Sequence, residues 1–341
     1  MLSVNPNLTY RDVQQILLLA AEQTDPADPD LVENGAGFQV SHNTGFGVVN
    51  AGTAVDLARH WQNRPATTNV SVTASGDLNI PDGAYRLNVS SDIPLPEGLK
   101  SILAVPSLGI HVETQTTTIQ LVNVGDAVAP LTTNLTGKAA LIQRGGATFA
   151  DKIQNAANTG ALFAVIYNNS NPLAVGGTDF VPIPAVFISK EDGEGLASFA
   201  TNFAIHANIS LTTTNYDFQV DSAISCEQVM LRVKFSEQSR GDMRLTLVSP
   251  SGTRSVLHRY GLDVNPFDGT WTYMTTHHFY EPAKGKWQAF FSDEALGRTG
   301  VVHEATLEIS GVPLASDSDN DGLPDEWEMT HFKSLQFGPK D

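Results

Sequence analysis

A single cysteine, Cys226, stands in a chain of 341 residues, so no internal disulfide and no cysteine-built metal site is available. Alone, it reads as a small core side chain, with a reactive thiol as the other reading. Basic residues are scarce as well. There are 20 Lys and Arg against 37 Asp and Glu, a formal charge of −17. That balance argues against a nucleic-acid partner, whose phosphates would repel the chain, and fits a calcium-binding protein. Long apolar runs are missing. The longest, around Ile16 to Ala21, falls short of the ~20 residues a membrane helix needs, so no membrane span is expected. Residues 1–7 hold neither a basic region nor a long apolar segment, and no signal peptide is read there. No Gly-x-Ser-x-Gly elbow occurs. His303-Glu304 continues as Ala-Thr-Leu, so His-Glu-x-x-His is absent too. Apolar residues still make up 41%, enough for cores in about two or three domains.

What is present is organised around Arg240 to Leu257. Met243, Leu245 and Leu247 alternate with Arg244, Thr246 and Val248, the period of a strand with one buried face. Ser249-Pro250-Ser251-Gly252 supplies turn chemistry, and Arg254 to Leu257 reads as the returning strand. Val229, Leu231, Val233 and Phe235 repeat the alternation, as do Trp287, Ala289 and Phe291, and Ala305, Leu307 and Ile309. Short strands at short spacing predict a jelly-roll β-sandwich. Upstream, Lys138–Gln143, Ala161–Tyr167 and Ile183–Ile188 are apolar strands. Between and after them come helices capped by Thr148 and Ser189, so at least one parallel pair follows. Near the amino end, Thr9 and Asp12 form a capping box for a helix with Val13, Ile16, Leu17 and Ala20 on one face. Asn50 caps a second, with Ala51, Val55 and Ala58 inward. Two such helices with no strand to cover expose apolar faces that need a partner.

Several polar groups invite chemistry. His42 is a candidate base, but nothing in the sequence places a nucleophile beside it, and the loop-histidine reading stands against it. Arg240-Gly241-Asp242 is either an adhesion tripeptide or a turn entering a strand. His277 and His278 are adjacent and on a strand would point to opposite faces. Arg144-Gly145-Gly146 leads into a helix but matches neither a Walker loop nor a dinucleotide fingerprint. The densest signal is the stretch 317–328. Asp317, Asp319, Asp321, Asp325 and Glu328 fall at loop positions 1, 3, 5, 9 and 12, with Gly322 at 6 and the Leu323 carbonyl at 7. This is an oxygen-donor pattern for Ca2+. Carboxylates so close repel one another without a cation; an acidic, solvated linker is the other reading.

Four stretches resemble known families. Arg240-Gly241-Asp242, the Ser249–Thr253 turn, Phe267–Trp271, Gly285-Lys286-Trp287 and Ala305–Ile309 resemble the P (Homo B) domain of subtilisin/kexin-like serine proteases over residues 214–312. Tyr280-Glu281-Pro282 departs from it, a Gly-Glu pair being more usual there. Gly137–Gly146, Thr148-Phe149, Lys152, Asn155-Ala156 and Ile183–Ser189 resemble the protease-associated domain over 98–213, a non-catalytic module, with Ala147 where many members have Cys. Asn5–Val13 and Gly45–Ala51 resemble the end of a subtilisin-like catalytic domain over 1–62. The loop in 313–341 resembles a thrombospondin type 3-like repeat. Ile80-Pro81-Asp82-Gly83 resembles the opening of a P domain, so 63–97 is expected to be a linker or its first strands, paired with 214–312. The resemblance implies a multi-domain, mainly β chain: an α/β subtilisin-like remnant, an α/β protease-associated domain and a sandwich. It implies the carboxy-terminal part of a secreted serine endopeptidase, with a protein or peptide substrate and an upstream catalytic domain as partners. The triad would lie before Met1, so no residue here is catalytic. The competing reading is a non-enzymatic extracellular protein that binds or adheres through calcium.

Overall fold

The computed structural model of the chain describes residues 1–28, 30–107, 115–170, 181–261 and 263–314. Helix α1 (Tyr10–Leu19) starts as its sequence dictates: the Thr9 side chain accepts from the Asp12 N–H, and Asp12 accepts from the Thr9 N–H. Helix α2 (Ala51–His60) begins at Asn50, whose side chain accepts from Gly52 and Thr53. The helices do not wait for an outside partner. Leu8, Ile16 and Ala20 pack against Ala54, Ala58 and Trp61, so each covers the other, and the expectation of uncovered faces is corrected. The buried face of α1 is also offset. Asp12, Gln15 and Ile16 are buried, while Leu17 is 36% exposed. The cause is polar: Asp12 is drawn inward to accept from Trp61 Nε1 at 3.0 Å and the Arg64 N–H at 2.9 Å.

Next come β1 (Thr68–Asn79), β2 (Tyr85–Ser91), β3 (Ser101–Pro106), β4 (Gln115–Asn123), β5 (Ala139–Gln143), α3 (Phe149–Ala157), β6 (Phe163–Tyr167), β7 (Ala185–Ile188), α4 (Lys190–Ala200) and β8 (Ile205–Leu211). Strands β2 to β8 close a barrel in the order β6-β7-β3-β2-β8-β4-β5. The β5-β6-β7 part is parallel, as the strand–helix alternation requires. It also explains why Phe163–Tyr167 is apolar throughout. Phe163, Val165 and Tyr167 join one core with Leu141 and Ile205. Ala164 and Ile166 join a second, with Ile153 and Ala156 of α3. A strand covered on both faces has no polar side to show.

The remaining strands are β9 (Thr214–Val220), β10 (Ile224–Glu237), β11 (Met243–Val248), β12 (Arg254–His258), β13 (Phe267–Thr275), β14 (Gly285–Asp293) and β15 (Gly300–Pro313). They form two four-stranded sheets, β9-β14-β11-β12 and β13-β10-β15-β1. The alternating residues meet in one core: Val229, Leu231, Val233 and Phe235 from one sheet, and Leu245, Leu247, Trp287 and Phe291 from the other. Strand β1 belongs to this unit, pairing antiparallel with β15 from Thr68↔Gly311 to Asn79↔Val301. Strand β2 does not. The expectation that the strands of 63–97 would all pair with 214–312 is corrected at Gly83, which takes φ +56°. There the chain turns, and β2 pairs instead with β3 and β8 of the barrel. No helix among the described residues is long and apolar enough to cross a membrane.

Candidate functional site

A concentration of buried charge lies where residues 1–64 meet the sandwich. A bulge in β10 between Cys226 and Gln228 takes Glu227 out of strict alternation, as bulges do. Arg11 grips that carboxylate with two donors, Nε and Nη2, the latter at 2.6 Å. Arg64 brings its Nε to 3.6 Å from the same carboxylate and lies over the Tyr280 ring, 5.2 Å from its centroid. Charge-assisted, bidentate pairs of this kind are the strong ones. Tyr280 holds φ +64°, a conformation that favours glycine. This is the position where the resemblance expects Gly. The tyrosine stays because its N–H donates to the Cys226 carbonyl at 2.7 Å and its hydroxyl to Gln15 of α1 at 2.5 Å. Burial pushes that hydroxyl up to about 12.

Beside it, Glu281 is fully buried. It accepts from the Gly35 N–H at 2.7 Å and from the Thr253 hydroxyl. Burial works to raise its carboxyl, but His278 and hydrogen bonds from Ser249 and Thr253 hold it below its ordinary value. A Cβ on Gly35 would fall 2.2 Å from Ser251 Cβ, so the Gly35-Ala36-Gly37 loop is small because the Ser249–Thr253 turn seats against it. Asn34 completes the joint, donating to the carbonyls of His277 at 2.9 Å and Phe279 at 3.0 Å.

The calcium residues Asp317, Asp319, Asp321, Leu323, Asp325 and Glu328 lie outside the described residues. Among the described residues, no group of three or more His, Cys, Asp or Glu is placed to hold a metal ion. Cys226 is buried, and burial pushes its thiol well up, the state of an inert core thiol. Arg240-Gly241-Asp242 forms a 3-10 turn into β11. Arg240 pairs with Asp263, and buried Asp242 accepts from Arg298 at 3.1 Å, so the tripeptide is structural. His277 and His278 lie in a turn after β13 rather than on a strand, correcting the geometry assumed for them. His278 packs edge-on against Trp287, while His277 stacks on His42. Arg144 donates to Asn168 at 2.6 Å and covers the Phe149 ring. Asp30 and the Val256 amide hold the His42 ring, and among the described residues no hydrogen bond joins that ring to a serine or cysteine.

One alignment has the order of a triad. Ser236 Oγ lies 3.3 Å from His303 Nε2, and His303 Nδ1 lies 2.8 Å from Asp77. These groups sit on neighbouring strands β10, β15 and β1, where backbone amides serve the ladder rather than a developing oxyanion. They make a surface hydrogen-bond chain. Sequence reasoning missed the seam itself. Arg11 and Glu227 are 216 positions apart, and no local signal links them. It also missed the carboxylates at the far end of the sandwich. Asp293 is pushed up to about 8 by burial and by Glu237, Asp242 and Asp82. Lys152, buried in α3, donates to the carbonyls of Gln143 at 3.1 Å and Asp126; in the sequence it stood out only as one of the residues shared with the protease-associated domain. What the arrangement can do is hold two segments together.

Comparison with known proteins agrees with the division of strands. The family model described as Proprotein convertase P-domain matches residues 226–309, and the one described as PA domain matches 111–196. A "PC3-like endoprotease variant B" from Hydra vulgaris is 40% identical over 83 residues, covering 24% of this chain and 12% of that protein. "Proprotein convertase subtilisin/kexin type 5" of Branchiostoma californiense is 46% identical over 77 residues, 19% of this chain and 4% of that protein. The chain thus spans a small fraction of the relatives it matches. The crystal structure of the Aeromonas sobria serine protease with its chaperone covers 91% of this chain and 41% of its own, at TM-score 0.45 and 14% identity, too distant to carry an argument. The two family matches and the convertase relatives together make this chain similar to the carboxy-terminal region of subtilisin/kexin-like convertases.

Proposed function

We propose that the chain is the carboxy-terminal portion of a secreted subtilisin/kexin-like serine endopeptidase, which as a whole protein hydrolyses peptide bonds through an acyl-enzyme. In this reading residues 1–62 close the catalytic domain, 98–213 together with β2 form a protease-associated domain, and 214–312 together with β1 a P domain. The chain supplies no triad. Its work is to stabilise the catalytic domain and to engage a protein or peptide substrate. The observation that carries the reading is the seam. Residues 1–62 are fixed to the sandwich through Arg11 and Glu227, with Arg64 just beyond them on the same carboxylate, yet they turn Tyr10 (87% exposed), Val48 (62%) and Val49 outward. Large apolar side chains left exposed on a well-anchored segment fit a further body packed on it.

Ca2+ belongs to the same proposal. Asp317, Asp319, Asp321, Asp325 and Glu328 with the Leu323 carbonyl form an oxygen-only donor set, the kind a hard cation takes. Bound there, Ca2+ would neutralise a dense group of carboxylates. Titration calorimetry of the chain with Ca2+ is expected to show a site that the double variant Asp317→Ala, Asp321→Ala lacks; equal affinity in both removes calcium from the reading. The protease reading is tested by the coding DNA upstream of Met1. An open frame that encodes an Asp, a His and then a nucleophilic Ser segment just ahead of Asn5 supports it. A stop codon followed directly by a start at Met1 replaces it with a non-enzymatic extracellular binding protein.

A further inference from the structure

Two histidines face each other across the seam, from segments 235 positions apart by number. The His42 ring lies on the His277 ring with centroids 4.2 Å apart and an interplanar angle of 30°. His42 uses both nitrogens. Nε2 accepts from the Val256 N–H of β12 at 2.9 Å, and Nδ1 lies 2.8 Å from Asp30. An imidazole nitrogen that accepts carries no proton, so this bond exists only with a neutral ring whose proton sits on Nδ1 and points at Asp30. His277 is half-buried; its Nδ1 lies 3.3 Å from the Thr275 hydroxyl, and its Nε2 is buried without a hydrogen-bond partner. Its carbonyl holds Asn34 of the opposing loop. Behind the stack, the Phe38, Phe46, Phe279 and Tyr280 rings close the same joint.

We propose that the stacked His42–His277 pair is an acid-released latch that fastens the 30–47 loop to the sandwich. Protonating His42 on Nε2 turns an acceptor into a donor facing the Val256 N–H. Protonating His277 places a cation in a site with no acceptor at Nε2, against a second imidazole. Either event breaks the contact, and both together repel. The surrounding charges are few. Asp30 lies at His42 Nδ1, Arg259 sits 3.6 Å from that same carboxylate, and His278 with Glu281 lies beside His277. Burial first, then His42 and His278, lowers the His277 ring from its ordinary value to about 3. The sign follows from that direction. The docked loop prefers neutral rings, so its stability is complete above the ordinary value of 6.5 and drains away as pH falls from there towards 3. The proposal does not rest on the protease reading.

Hydrogen exchange on the chain, expressed as protection against the intrinsic rate at each pH, tests it. Protection at the Val256 amide and through residues 34–40 is expected to fall on the order of 30-fold between pH 7.5 and pH 5, the factor that a ring lowered by that much gives. The variant His42→Gln, His277→Phe keeps an acceptor for Val256 and a ring for the stack but removes both titrations. It is expected to show a flat protection profile over the same range. A wild-type profile already flat overturns the proposal, and so does a variant that still loses protection. Ring titration followed by NMR gives a check independent of how well the variant folds: both rings becoming protonated in wild type with no loss at Val256 also overturns it.

Discussion

The barrel and the sandwich bury different things. Among the described residues of the barrel, Lys152 is the one buried charged side chain; the rest of its buried interior is largely apolar, with Leu141, Phe163, Val165, Ile166 and Ile205 among it. The sandwich and its seam bury Glu227, Glu237, Asp242, Arg244, Glu281, Asp293 and Glu294. Apolar burial is non-directional and lets a unit close on itself. The barrel does so, although the chain leaves β1 to form it and returns to β9. A buried carboxylate demands a partner in one geometry. At Glu227 that partner comes from α1, and at Glu281 from the Gly35 loop. The difference teaches that the barrel is an inserted unit and the sandwich a docking partner.

The severest test of the contrast is Glu227→Ala. It removes the carboxylate that Arg11 and Arg64 share, and truncating one side of a buried pair costs about 3–5 kcal/mol. Urea unfolding followed at the seam is expected to lose about that much; a loss below about 1 kcal/mol means that the seam does not hold the segments. The barrel counterpart is Leu141→Ala, a fully buried side chain between strands, with an expected loss of about 3 kcal/mol. That loss is expected in the barrel amides by hydrogen exchange, with the amides of Glu227 and Glu281 unchanged. Equal loosening in both regions makes barrel and sandwich one cooperative unit and breaks the comparison.

How much of this was legible depended on distance along the chain. The four helix starts were visible, because a capping side chain and the amide it serves lie within about three residues. The side-chain alternation of β10, β11, β14 and β15 was visible too, because period 2 is local. The Ile80-Pro81-Asp82-Gly83 motif was seen, but not that the chain changes unit there: β1 and β2 both alternate, and alternation does not name the partner strand. The seam was invisible for a deeper reason. Nothing in Thr-Tyr-Arg-Asp or in Cys-Glu-Gln-Val says that Arg11 and Glu227 meet. The offset face of α1 had the same origin, since Asp12 is turned inward by Trp61 and Arg64. The family motif located the site indirectly: Tyr280, where glycine was expected, is the residue whose hydroxyl reaches α1.

The far end of the sandwich sharpens the contrast through pH. Asp293 is buried with its carboxyl raised from 3.8 to about 8, chiefly by burial, then by Glu237, Asp242 and Asp82. The native chain therefore keeps a proton that the unfolded chain has lost, so stability falls as pH rises from about 4 to about 8. Asp293→Asn removes that slope. It is expected to be more stable than wild type at pH 9, with the gain shrinking towards pH 4, as measured by denaturation at each pH. A gain that grows on acidification reverses the sign and shows Asp293 ionised in the native state.

The smallest effect isolates what burial contributes to a salt bridge. Arg232 of β10 donates to Glu308 of β15 at 2.6 Å, the same types of group as Arg11 and Glu227 and from the same strand as Glu227. Arg232 is 52% exposed and Glu308 26%, against 18% and 8% for Arg11 and Glu227. In water the attraction is screened, and ordering two long side chains offsets most of what remains. Arg232→Ala is therefore expected to cost about 0.5 kcal/mol, falling towards zero in high salt, while the Glu227→Ala loss persists in the same salt. Both variants are read by the same urea titration with and without added NaCl. Should the two respond alike, exposure would not be what separates them, and the seam would be one more surface contact.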